Sequence, residues 1–128
     1  MTTVQRAAQI FGIVFLLVAI IGFVTSGSSM ESDPAMAAKI FGLFAVNAVH
    51  NGVHLGFGIW GLLAARSVEG ARNYTIIAGA LYAVLAVLGL VAPDGFGLVP
   101  LGGNDIWLHA LLAAGLLASG LIAQRETV

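Results

Sequence analysis

Asn47-Ala48-Val49-His50-Asn51-Gly52-Val53-His54-Leu55-Gly56-Phe57-Gly58-Ile59-Trp60-Gly61-Leu62-Leu63-Ala64-Ala65-Arg66 sets two histidines and two asparagines in an apolar run that ends on an arginine. Asn47, His50, Asn51 and His54 stand at i, i+3, i+4 and i+7, the spacing of one helix face. Gly58 and Gly61 continue that face toward Arg66, while Leu43 and Lys39 continue it the other way. Gly52 and Gly56 make a Gly-x-x-x-Gly pair on the opposite side, a pattern that lets a second helix come close. Polar side chains in such a run are costly unless they face protein or water. The stripe is therefore expected to point into a bundle of helices.

The rest of the chain is apolar enough to make that bundle a membrane protein. Hydrophobic residues are 59% of the 128 and charged residues only 9%, against roughly 25% charged in an ordinary soluble domain. A chain this short must leave much of its surface uncovered, so a surface this apolar belongs in lipid. Apolar runs at about 7–25, 40–65, 73–92 and 106–123 each approach the roughly 20 residues needed to cross the hydrocarbon as a helix. Ser26-Gly27-Ser28-Ser29 through Pro34, Arg66 through Arg72, and Pro93 through Asp105 separate them. The expected fold is all-α: an integral membrane four-helix bundle forming one domain over 1–128.

Arg6, Arg66, Arg72 and Arg125 share one side of this topology; Lys39 stands on the other with Glu31, Asp33, Asp94 and Asp105. By the positive-inside rule both termini are cytoplasmic. Residues 1–26 also have the outline of a signal peptide, with Arg6 before a short apolar core; the reading adopted is a retained first span. The net charge of −1 leaves no nucleic-acid footprint. The absence of cysteine excludes disulfides, thiolate catalysis and iron–sulfur ligation.

Aligned on Arg66 and Arg125, the second and fourth runs match at His50/His109, Gly56/Gly115, Gly61/Gly120, Leu62/Leu121 and Ala64/Ala123 without a gap. This pattern suggests a tandem duplication of two transmembrane hairpins. It puts His50 and His109 at one depth, roughly 24 Å from the arginines at 1.5 Å per residue.

The candidate polar core is His50, His54, His109, Asn47, Asn51, Asp105 and Tyr82. Neutral imidazoles ligate haem iron, chlorophyll magnesium or zinc, and opposed histidines in a four-helix bundle suit a b-type haem. Gly58 and Gly61 would let a flat ring approach the backbone. The plainer expectation is that these histidines and asparagines exchange interhelical hydrogen bonds worth on the order of 1 kcal/mol each. Asp105, one turn before His109, could orient that ring, and Asn104 or Asp105 could cap the fourth helix. Motifs for hydrolysis or nucleotide chemistry are absent.

Val53-His54-Leu55-Gly56, Gly58, Gly61, Ala64-Ala65-Arg66, Ala71-Arg72-Asn73-Tyr74, Gly79, Tyr82, Leu88-Gly89, Val99-Pro100-Leu101 and Asn104-Asp105-Ile106-Trp107-Leu108-His109 occur in order. In this the stretch from Val49 to Ala118 resembles the uncharacterised bacterial membrane proteins of domain-of-unknown-function family 4383. The resemblance implies a four-helix fold in a bacterial cytoplasmic (inner) membrane and histidines at the positions of His54 and His109; it implies no reaction. His50 and Asn51 are extras to that pattern, and the first span resembles the family only in being apolar. The expected function is a non-enzymatic accessory or structural subunit in contact with other membrane subunits or with itself. The alternative is an electron-transfer or light-harvesting component binding haem b or a chlorophyll-type pigment. A third is transport or proton relay along the Asn47–His54 stripe.

Overall fold

The computed structural model describes the backbone of residues 1–126 and the side chains of residues 1–123; the Arg125 side chain, one of the four inner arginines, lies outside the described residues. Four helices form the body: α1 Thr3–Ser26, α2 Ala48–Ala64, α3 Val68–Val91 and α4 Asn104–Glu126. Among the described residues, α1, α3 and α4 are long and apolar enough to cross a membrane.

Local chemistry explains where the helices begin and turn. Thr2 and Gln5 form a reciprocal capping box at the start of α1, and Gly27, at φ +55°, ends it in a backbone conformation that costs glycine little. Ser67 caps α3 by accepting from the Gly70 amide at 2.9 Å, with Glu69 in the first turn on the favourable side of the helix dipole. Only Ala65, Arg66 and Ser67 join α2 to α3. Gln5 Nε2 donates to the Ala65 carbonyl at 3.0 Å and ties the start of α1 to this turn.

The helices pack as two antiparallel hairpins, α1 chiefly on α2 and α3 chiefly on α4. Small residues set both crossings. A Cβ at Gly12 would lie 2.9 Å from the Leu62 amide nitrogen and 3.0 Å from the Gly58 carbonyl oxygen. In the other hairpin a Cβ at Gly79 would stand 3.0 Å from the Leu117 nitrogen. Between the hairpins lies a core of Phe15, Tyr74, Tyr82, Ala78, Ala113 and Leu116.

The expected second span of 40–65 is corrected at its outer end. Residues Ala38–Ile40 (β1) and Phe44–Val46 (β2) form an antiparallel hairpin with Ile40 opposite Phe44, and α2 starts only at Ala48. Lys39 and Leu43 thus do not extend the helical stripe. Lys39 Nζ instead donates back to the Ala37 carbonyl at 3.1 Å. Phe41 and Gly42 turn the hairpin with φ of +54° and +70°, values a bulky residue such as Phe41 adopts only under strain. At 17 residues, α2 is about 25 Å long. The β-hairpin occupies the place of its missing outer turns, packed on α1 and α4. Asn104 Nδ2 donates to the Leu43 carbonyl at 3.2 Å and fastens the hairpin to α4.

Candidate functional site

The α2 stripe splits by chemistry. The two asparagines are fully buried and act as structural ties. Asn47 is the N-cap of α2: its Oδ1 accepts from the His50 amide at 2.9 Å, and its Nδ2 donates to the Leu98 carbonyl at 2.9 Å. Asn51 Nδ2 donates to Ser26 Oγ at 2.8 Å, and Gly22 leaves room for the Asn51 side chain beside α1. Only the Asn51–Ser26 bond joins two helices, the expected role; Asn47 bonds its own helix and a loop, and Asn51 Oδ1 has no partner among the described residues.

The histidines do not take that role. His50, His54 and His109 are only 3%, 5% and 1% exposed. Among the described residues, both ring nitrogens of His50 and of His109, and Nδ1 of His54, make no hydrogen bond of ordinary geometry, although the Ala45 backbone lies beside the His50 ring. The structure brings the three rings together from α2 and α4. One ligand nitrogen from each lies within 4.8 Å of the other two, and the ring centres are 4.5 Å apart for His50–His54, 5.4 Å for His50–His109 and 6.4 Å for His54–His109. Buried donors and acceptors are almost always paired in folded proteins, so five unpartnered nitrogens in one cluster require a chemical explanation.

Aromatic rings form the floor beneath the cluster. Tyr82 of α3 packs edge-on to His109 at 5.4 Å and stacks with His54 at 6.4 Å. Phe15 of α1 stacks with His54 at 5.9 Å and with Tyr82 at 5.1 Å. The Tyr82 hydroxyl is buried and has no partner, whereas Tyr74 donates to the Phe57 carbonyl at 3.0 Å. On α3 it is thus Tyr74, eight residues before Tyr82, whose hydroxyl bonds a neighbouring helix. Phe15 was invisible as a site residue because α1 is apolar on every face.

Asp105 and His109 do share the start of α4, but the expected bond between them is not formed, since both ring nitrogens of His109 are unpartnered. The side chains diverge. His109 turns to His50 and Tyr82, while Asp105, 1% exposed, is one of the residues around a largely apolar cavity of about 180 Å³ that His50 and His54 also border. Asp105 Oδ2 has no hydrogen-bond partner among the described residues. Asn104 opens α4, and its Oδ1 accepts from the Trp107 indole N–H at 3.1 Å; Asp105 in the first turn complements the helix dipole.

The glycines divide likewise. The faces of Gly58 and Gly61, expected to admit a flat macrocycle, are filled: a Cβ at Gly58 would strike Leu16, and one at Gly61 would strike Tyr74 and Gly12. Gly52 and Gly56 meet nothing within 4 Å of an added Cβ. Beside them a shallow groove runs between Val53, Phe57 and Trp60.

A bundle of apolar helices around a buried cluster of imidazoles defines an all-α protein with helices of membrane-crossing length. The chain belongs to the family described as Domain of unknown function (DUF4383), whose profile matches residues 5–122. The match takes in nearly all of α1, which the resemblance had placed only by its apolarity. No curated protein and no solved structure matches the chain.

Proposed function

We propose that this protein is a non-enzymatic metal-binding protein of the bacterial cytoplasmic membrane. In this reading it crosses the bilayer four times with both termini in the cytoplasm, and holds one transition-metal ion near the outer face through His50, His54 and His109. The observation that carries it is the cluster itself: three buried imidazoles with a ligand nitrogen from each within 4.8 Å of the others, and with five of the six ring nitrogens making no hydrogen bond of ordinary geometry among the described residues. An ion at the usual distance of about 2.0–2.1 Å from each nitrogen would draw these atoms together by small ring rotations and satisfy one nitrogen on each ring. Neutral imidazole suits zinc and copper, and three histidines leave a further coordination position.

The same geometry favours a bare ion over haem or a chlorophyll-type pigment. A macrocycle needs a flat slot, and the slot expected at Gly58 and Gly61 is filled by Leu16, Gly12 and Tyr74. The adjoining cavity, at about 180 Å³, falls below the roughly 300 Å³ at which pockets for drug-sized ligands begin. A chain of buried hydrogen bonds for proton relay is not supported either, since the histidines and the Tyr82 hydroxyl are not bonded to one another.

Metal analysis of the protein purified in mild detergent tests the reading. One zinc or copper ion per chain is expected, retained through desalting and lost in His109→Ala and in His54→Ala. A protein that stays metal-free after incubation with both metals would overturn it, and a Soret band would restore the haem alternative.

A second reading, contact with other membrane subunits or with a second copy, is favoured by the open Gly52/Gly56 face and its groove. It is compatible with the first. Stoichiometric co-purification that is lost in Gly52→Leu and Gly56→Leu, with metal content unchanged, would support it.

A further inference from the structure

Val18 of α1, Phe44 of β2 and Leu108 of α4 stand around the cavity of about 180 Å³ beside the histidines, and its wall is almost wholly apolar. Ile40 and Val46 are its buried side, while Ile21 and Phe41, both exposed, stand at its rim. The cavity therefore opens through the outer surface of the bundle, between α1 and the β-hairpin. We propose that it holds a stretch of one phospholipid acyl chain, drawn from the outer half of the bilayer. This occupancy presupposes the four crossings proposed above, which put the opening among lipid tails.

The wall and the surroundings choose the occupant together. Water stays in a cavity only where several polar groups hold it, and this wall offers almost none. A lipid tail is as apolar as leucine, so the gain on entry is contact. An empty cavity leaves its lining atoms without neighbours on one side, and a hydrocarbon chain supplies them. Size agrees. Benzene enters an apolar cavity of roughly 150 Å³, so a volume of about 180 Å³ takes about six or seven carbons of one chain and leaves no room for a second. Phe41 is a separate observation: it is 80% exposed and held at φ +54°, a strained state for a bulky residue that keeps an apolar side chain at the mouth. A tail entering the cavity would lie along it. Once seated, the chain excludes water from the flank that His50 and His54 border, and an apolar shell of this kind controls access to a metal site.

The test uses the full chain in phosphatidylcholine nanodiscs doped with a phosphatidylcholine that carries a diazirine on one acyl chain. After irradiation, mass spectrometry of the digested protein maps the adducts. Val84 and Val87 of α3, 54% and 58% exposed, serve as ordinary lipid-facing positions. Adducts at Val18 and Leu108, although both are less exposed, should exceed those at Val84 and Val87 at least fivefold per residue. They should saturate at one per chain as the probe fraction rises. Val18→Phe and Leu108→Trp fill the cavity from α1 and α4 without touching the histidines. Each should lower labelling of the remaining wall to the level of Val84 and Val87. Labelling of the wall no higher than that of α3 would overturn the proposal and leave the membrane crossing intact, whereas absence of adducts at all four positions would overturn both. Excess labelling that survives both filling variants would also overturn it. So would a stoichiometric non-phospholipid compound in an organic extract of the protein that blocks the probe until it is removed. If one filling variant does not fold, the other decides; if neither folds, the comparison within the parent protein does.

Discussion

Two tyrosines a helix-turn pair apart on α3 show how much a single hydroxyl's surroundings decide. Both side chains are fully buried. Tyr74 donates to the Phe57 carbonyl, while the Tyr82 hydroxyl has no partner. Removing a bonded hydroxyl costs about 1 kcal/mol, whereas removing a buried, unbonded one relieves a desolvated group. Tyr74→Phe should therefore destabilise the protein by about that amount, and Tyr82→Phe should be neutral or stabilising in the metal-free state. Thermal unfolding in detergent, followed by circular dichroism, checks the order of the two variants. On the same scale, Asn51→Ala loses the tie to Ser26 and should cost about 0.6 kcal/mol, the average of interhelical hydrogen bonds measured in a membrane. An Asn51→Ala protein with parental stability would show that this tie adds nothing.

Between elements, glycine is where the crossings are made and where they are left unmade. At Gly12 an added Cβ would press on the backbone of α2, 2.9 Å from the Leu62 nitrogen, and backbone cannot swing aside as a side chain can. Gly12→Ala should part α1 from α2 and cost on the order of 1–3 kcal/mol. Gly52 and Gly56 face open space, so alanine there should add helix propensity, up to about 1 kcal/mol per site. Unfolding midpoints that fall for Gly12→Ala and rise for the double variant Gly52→Ala, Gly56→Ala would match. The polar stripe of α2 was legible because its residues recur at helical spacing in an apolar run, whereas its meeting with His109 is a matter of packing between helices. The β-hairpin was not. Ile40-Phe41-Gly42-Leu43-Phe44-Ala45-Val46 is uniformly apolar, and a short apolar run reads equally as strand or as the end of a helix; only Gly42 hinted at a turn. The bond expected between Asp105 and His109 failed for a related reason. Helical spacing places two residues on one face, but the direction each side chain takes is set by its neighbours, and His109 turns to the rings of His50 and Tyr82.

At the scale of the whole chain, the topology can be read chemically because the protein contains no cysteine, so any introduced thiol reports alone. A cysteine at Ser28, in the loop after α1, should react with a membrane-impermeant maleimide in intact cells. One at Ser67, in the turn between α2 and α3, should react only after the membrane is opened. The reverse pattern would invert the proposed orientation, and labelling of both in intact cells would remove the membrane crossing. The four-helix body and the pairing into two hairpins follow from where apolar runs and arginines fall in the chain. The aromatic floor under the histidines does not, because Phe15 is one apolar residue among many on α1 and only its packing against His54 and Tyr82 distinguishes it.

A ladder of only two strands has two open sides. Among the described residues β1 and β2 bond only to each other as strands, and an outward amide group on either is one that hydrocarbon cannot satisfy. In the proposed membrane orientation such groups call for water or phospholipid heads, which would draw the wet boundary of the bilayer toward the level where α2 begins. Ions and small solutes arriving from outside would then cross only a thinned film of lipid before reaching imidazole, with no pore in the bundle required.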